Sequence, residues 1–358
     1  MRADTEWSGP VFIVGASRSG TAMLQSVLRR NPDIRLAGET HYFDDLRPRI
    51  IGTRLADLDA PDRDASVDYF RALTVRPYGK NGDPAQSTLS REELLARAEA
   101  LGGTPDDLFE AYCKLIAERE GARVWGEKTP RHVFRIPEIL EAYPEAKIVC
   151  MVRDPRAVVA SYRDWRYQGG FQISDDDTEF HAAIKADEER ARRSYHIVLA
   201  TLMWRGAANA SFQARDAFTE ARVCVVNYES VTDGADAVLR GIADWLGISF
   251  DASMLEIPLH NSSSSKFDAE AGISQGPRNR WREVLSDREI GVIQKVAGAT
   301  LTRAGYETLD VRGGVFDLPL AYAELPFATA RAALANRGRY ASLPGYALSR
   351  IRAALRSG

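Results

Sequence analysis

Arg18, Glu39, Lys128 and Arg153 are the residues whose types and placement suit chemistry. Arg18 stands inside Gly15-Ala-Ser-Arg-Ser-Gly-Thr21, a loop with a cation between its two glycines. Such a loop aims backbone N–H groups and a helix N-terminus at one point, which suits a phosphate or sulfate. A nucleotide-hydrolysing P-loop reads G-x-x-x-x-G-K-[ST]. Here Thr21 takes the lysine's place, and the positive charge has moved into the loop. Arg153 ends the most strand-like run of the chain, and Ser161 follows it on a helix, a second anion-binding pair. Arg278, Arg280 and Trp281 form a late basic cluster. A nucleotide phosphorylated at two places would use all three groups. Transfer to a hydroxyl or amine would use Glu39 as base, with Lys128 and Arg18 against the developing charge. Without a ligand, each has a plainer role. Glu39 is then a solvated loop carboxylate, Arg153 a partner for Asp154, His41 a surface residue and Trp281 a core anchor.

Short apolar strands must carry these residues to one edge. Val11 to Val14 reads as a strand buried on both faces, with Ser19 and Thr21 as cap residues. Met23, Leu24, Val27 and Leu28 then follow at helical spacing. Ile34 to Ala37 is a second strand, delivering Gly38-Glu39-Thr40-His41. Arg123 to Gly126 is a third, delivering Glu127-Lys128-Thr129-Pro130. Ala146 to Val152 is a fourth, after which Asp154 caps a helix and Pro155 suits its first turn. A long helical region spans about Thr178 to Ala217. Arg222 to Val226 is a further strand, followed by a helix from Ala235 to Leu246 and helical chain over 286–304. This alternation predicts a doubly wound parallel sheet, whose active residues gather at the carboxyl ends of the strands.

The expected fold is therefore α/β: a P-loop-type parallel sheet flanked by helices over 8–310, with a helical cap insertion at 44–120 and a basic, helical C-terminal appendage at 311–358. In the insertion, Ser66 to Leu73 is helical, and so is the stretch from the Thr104 cap and Pro105 to about Glu120. It is a place for acceptor recognition. The serine run at 262–265 reads as a loop closing on a ligand. From Arg331 onward the chain has several arginines and no acid. It fits a solvated appendage, or short amphipathic helices that pack on a partner or touch an anionic membrane surface.

Composition narrows the class. With 358 residues, 45% of them hydrophobic and 27% charged, the chain can build a full core. A net charge of −3 gives no general argument for nucleic acid, so any anion site is local. Cys113, Cys150 and Cys224 lie in apolar patterns and read as reduced core residues. With no histidines at ligand spacing, no structural metal is expected. The first ten residues have no apolar leader core, and no later segment reaches the length of a membrane span. A cytoplasmic location is the expectation, and the oligomeric state stays open.

At these residues the chain resembles the PAPS-dependent sulfotransferases, nearer to the tyrosyl-protein, heparan-sulfate and bacterial branches than to the cytosolic phenol and steroid enzymes. Gly15-Ala-Ser-Arg18-Ser19-Gly20-Thr21-Ala22 is similar to the family's 5′-phosphosulfate loop. Val149 to Ser161 resembles the segment whose arginine and serine hold the 3′-phosphate, here Arg153 and Ser161. Glu39 matches the base of the tyrosyl-protein branch, and Lys128-Thr-Pro130 a lysine turn on the transferring group. Tyr228, Ser265, Arg278 and Arg280 resemble later nucleotide contacts. The likeness spans roughly residues 10 to 285, in order. It implies PAPS as donor, adenosine 3′,5′-bisphosphate as product, in-line transfer and no required metal. The acceptor stays open among small molecule, carbohydrate, lipid and peptide. Three departures stand out. Ala22 lacks the usual threonine hydroxyl, Trp165 stands where the tyrosyl branch has an arginine, and the Arg-Lys-Gly triplet of the cytosolic enzymes is absent. An ATP-dependent small-molecule P-loop kinase and a non-catalytic nucleotide-binding module are the alternatives.

Overall fold

In the computed structural model, which describes residues 7–75, 82–165, 178–256 and 279–337, five short strands take up the most apolar runs of the chain. They are β1 (Val11–Gly15), β2 (Ile34–Ala37), β3 (Val124–Lys128), β4 (Lys147–Val152) and β5 (Val223–Asn227). All pair in parallel, in the order β2-β3-β1-β4-β5. Every residue of β1 and β3 is buried, as a sheet covered on both faces requires.

Successive strand residues face opposite sides of the sheet, so β1 feeds two cores. Phe12 and Val14 join Trp125, Ile148 and Cys150 in one core, against Tyr42, Phe43, Phe70 and Phe109. Val11 and Ile13 join Val149 and Met151 in the other, against Leu24, Val27, Leu239 and Leu246.

The helices that cover these faces are, in chain order, α1 (Thr21–Leu28), α2 (Ala60–Thr74), α3 (Arg91–Leu101), α4 (Pro105–Arg119), α5 (Ile136–Ala142), α6 (Pro155–Arg163), α7 (Thr178–Ser194) and α8 (Ile197–Phe218). After β5 come α9 (Tyr228–Asp233), α10 (Ala235–Leu246), α11 (Trp281–Val284), α12 (Asp287–Ala297), α13 (Ala299–Arg303) and α14 (Asp317–Ala335). The insertion is continuous with the sheet's core: Phe70 of α2, Leu94 of α3 and Phe109 of α4 belong to the same buried cluster as Phe12, and Phe109 stacks on it. Thr104 opens α4 with a capping box to Asp107, and Pro105 takes the first turn, as the sequence predicts.

Four local readings change. Helix α3 lies in the insertion where no helix was expected. β3 runs two residues past Gly126, so Glu127 and Lys128 belong to the strand. The long helical region is two helices, divided at Tyr195-His196, where His196 is extended (φ −152°, ψ 133°). Neither Ser19 nor Thr21 caps α1. The N-cap is Gly20 in the left-handed region, with no side-chain cap.

Cys113, Cys150 and Cys224 are free thiols, the first two buried. Burial pushes the Cys150 thiol up to about 12. Among the described residues, no helix is long and apolar enough to cross a membrane.

Candidate active site

The parallel register brings the carboxyl ends of β1, β3 and β4 side by side. Ile13 lies beside Lys128 on one flank and Val149 on the other. The loop after β1 starts at Gly15, where a Cβ would come within 2.3 Å of the Met151 carbonyl oxygen in β4. At Gly20, with φ +91°, a Cβ would lie 2.4 Å from the Tyr228 ring. Glycine is needed at both, for backbone angle and for space. Arg18 also adopts a positive φ, 73°, a strained setting for a side chain that must point out of the loop. Ser19 is fully buried, and its hydroxyl has no hydrogen-bond partner among the described residues. No side chain caps α1, and uncapped first-turn amides of this kind suit an anion.

Arg153 leaves the end of β4 beside this loop. It donates to the Arg18 carbonyl at 3.2 Å, and its guanidinium lies 4.2 Å from the centre of the Tyr228 ring. Its own carbonyl accepts from the Trp204 indole at 2.8 Å. The plainer reading of Arg153, as partner of Asp154, does not hold. Asp154 pairs with Arg156 at 2.7 Å and caps α6. Arg156 in turn lies over Trp281, which is buried, so Trp281 is a core anchor. Ser161, two turns into α6, accepts from Arg18 Nε at 2.9 Å. Three predicted residues from separate segments, Arg18, Arg153 and Ser161, thus meet at one place. Arg280 lies farther out in sequence and pairs with Asp164 at 3.3 Å. Ser265 and Arg278 lie outside the described residues.

Glu39 and Lys128 meet at the ends of β2 and β3. The Lys128 ammonium, almost wholly buried, donates to Glu39 Oε1 at 2.5 Å. Glu39 itself keeps 37% of its side chain exposed, enough to reach a bound molecule. His41 Nε2 lies 3.5 Å from Glu39 Oε2. His41 is thus partly withdrawn from solvent rather than a surface residue. Burial, followed by the charge of Arg131, holds its pKa below the usual histidine range.

Beneath this pair is a group that the sequence did not single out. Glu127, wholly buried in β3, accepts hydrogen bonds from Thr40 Oγ1 and from Thr129 Oγ1, the latter at 3.1 Å, and bonds the His132 ring through Nδ1. Thr129 Oγ1 accepts from the Thr40 amide at 3.2 Å. The cluster therefore anchors the residues that follow Glu39 and Lys128. A charged residue inside a strand buried on both faces needs such partners, and that was the available signal.

A cavity of about 220 Å³ lies between the end of α6 and the junction of α7 with α8. Arg18 is in its wall, with Tyr162, Trp165, Tyr195, Leu199 and Met203.

Two histidines make stability depend on pH. His196 is buried with no hydrogen bond to either ring nitrogen among the described residues, and burial lowers its pKa as it does that of His41. The unfolded chain therefore binds protons first as pH falls through the ordinary value of about 6.5. The stability these rings contribute is present above that pH and is lost below it. Melting curves from pH 7.5 to 5.5 should show Tm falling with acidity, and falling less in the double variant His41→Gln, His196→Gln. An equal fall in both proteins would remove the histidines as the cause.

The model of the sulfotransferase family matches residues 10–252. A Caenorhabditis elegans protein, protein-tyrosine sulfotransferase A, is 22% identical over 313 residues, covering 83% of this chain and 67% of that protein. The nodulation protein NoeE of Sinorhizobium fredii is 24% identical over 157 residues, 42% of this chain and 30% of its own length. Among solved structures, the sulfotransferase domain of the Synechococcus PCC 7002 olefin synthase is 18% identical, with a TM-score of 0.48 over 86% of this chain and 98% of that one. Because that family match takes in more than half of its residues, the chain belongs to the sulfotransferase family and is a transferase.

Proposed function

We propose that the chain moves the sulfuryl group of PAPS to a hydroxyl of an acceptor, with Glu39 as the base. The Glu39–Lys128 pair carries this reading: a reachable carboxylate and a buried ammonium, one strand away from an anion loop. The nucleotide would supply the activated sulfuryl group and leave as adenosine 3′,5′-bisphosphate. The residues fit such a ligand. The unpartnered Ser19 hydroxyl, Thr21 and the uncapped amides of α1 suit the 5′-phosphosulfate. Arg153 and Ser161 suit the 3′-phosphate, with Tyr228 behind Arg153. Ala22 brings only its amide.

An anion at Ser161 would accept from the hydroxyl's O–H while Arg18 Nε donates to its oxygen, so Arg18 and the nucleotide can hold Ser161 together. Glu39 takes the acceptor's proton as its oxygen attacks sulfur in line, while Lys128 and Arg18 offset the charge that develops.

Calorimetric titration with adenosine 3′,5′-bisphosphate tests the donor, and transfer of labelled sulfate from PAPS into a cell extract tests the reaction. Binding of ATP with Mg²⁺ and not of the bisphosphate would point to a kinase. Binding without any labelled product would point to a non-catalytic module. Arg153→Ala should weaken bisphosphate binding by about 10- to 100-fold, the worth of a charge-assisted hydrogen bond. Arg153→Lys should recover only part, because lysine lacks the planar fork and stacks less well on Tyr228. Unchanged affinity in Arg153→Ala would remove this residue from the phosphate site.

A further inference from the structure

The last described helix buries one face and leaves the other bare. Its inner face is anchored: Leu318, Ala321 and Leu325 of α14 pack with Val198, Val292 and Val296. On the outer face, Leu320, Phe327 and Leu334 recur every seven residues, with Phe316 one turn earlier. They are 52%, 81%, 62% and 74% exposed. The exposed Ala323 and Ala330 stand between them. Monomers rarely present so continuous an apolar stripe, which runs the length of α14 past Pro326 at its middle.

We infer that this stripe is the seam of a homodimer, in which α14 packs antiparallel against α14 of a second copy. The seven-residue spacing is that of a helix–helix seam, and the two alanines let the helix axes come close. Charge selects the partner and the direction. Glu324 and Arg331 flank the stripe at equal distances on either side of the Phe327-Ala328 bond. A two-fold axis there sets Glu324 of each copy against Arg331 of the other, and a parallel pair would not. Both residues are exposed, although the Glu324 carboxylate also lies 3.9 Å from His196 Nε2 of its own chain. Arg331 is steadied by hydrogen bonds to the Arg193 and Tyr195 carbonyls, which hold it at the flank of the stripe. Within α14 a lipid surface fits less well, because the helix carries Asp317 and Glu324 against a single Arg331, whereas interfacial helices have a basic polar face; the acid-free, arginine-bearing run from Arg331 onward makes anionic vesicles the control.

The test is sedimentation of the full chain over a concentration series. A dimer is expected, and Phe327→Glu should convert it to monomer with an unchanged far-ultraviolet spectrum, since the side chain is exposed. Glu324→Arg should weaken the dimer, and adding Arg331→Glu to it should restore it. On oxidation, Leu320→Cys protein mixed with Leu334→Cys protein should cross-link, while neither should cross-link alone. A monomer at every concentration would overturn the inference. So would a dimer that survives Phe327→Glu, or self-cross-linking of Leu320→Cys, which indicates a parallel pair. Binding of monomer to phosphatidylcholine–phosphatidylglycerol vesicles, abolished by Phe327→Glu, would assign the stripe to a membrane and overturn it as well.

Discussion

Glu39→Gln is expected to lower kcat for sulfuryl transfer by about 10²- to 10⁴-fold, the usual contribution of a positioned base. Adenosine 3′,5′-bisphosphate should bind it as tightly as it binds the parent chain. The reason is spatial. Glu39 leaves the end of β2, on the far side of β3 from the loop, whereas the proposed phosphate ligands come from β1 and β4. Glutamine keeps the shape and can still accept from Lys128, but it cannot take a proton at neutral pH. The loss should therefore appear in kcat, with little change in the KM for PAPS. If nucleotide affinity falls as far as kcat, Glu39 is part of the binding site and not the base. His41, held neutral and 3.5 Å from Glu39, is the residue to compare. A larger loss in His41→Gln than in Glu39→Gln would transfer the role to the ring.

Glu127→Ala should be the most damaging single change to folding among the residues around the site, costing about 3–5 kcal/mol, as when one partner of a buried charged network is removed. Its carboxylate holds the Thr40 and Thr129 hydroxyls and the buried His132 ring, and none of these can reach water once it is gone. The Tm should drop by roughly 10 °C. Transfer should fall further than the folded fraction does, because Thr40 and Thr129 adjoin Glu39 and Lys128 in the chain. Glu127→Gln preserves volume but sets an amide N–H against a donor, so an intermediate loss is expected. If Glu127→Ala melts like the parent chain, the network is not holding the fold together.

Much of the sheet was legible because its strands are short, apolar and bounded by Gly, Pro, Asp and Asn. β2 matches its expected limits, and so does α10, which ends at Gly247 in the left-handed region. Asp154 and Pro155 start α6 as read. Helix α3 was not legible because its sequence, REELLARAEAL, is rich in charge and only Leu94 and Ala98 are buried. The division between α7 and α8 was not legible either, since Tyr195-His196 carries no glycine or proline to mark it.

For the candidate site, residue types and order were enough to single out Arg18, Glu39, Lys128, Arg153 and Ser161 as candidates, because a glycine loop and a strand-end cation have local signatures. Local patterns cannot say which side chains meet. That Arg153 turns to Tyr228 and the Arg18 carbonyl while Asp154 goes to Arg156 was decided by packing, since every near cation competes for the same carboxylate. That Glu127 lies buried under Glu39 and Lys128 follows from strand register, which places it between Phe12 and Ala37. The sequence by itself determined the chemistry on offer and the strand ends that carry it. Only the tertiary structure decided the pairings, because they join segments up to 143 residues apart through burial and distance that no local pattern encodes.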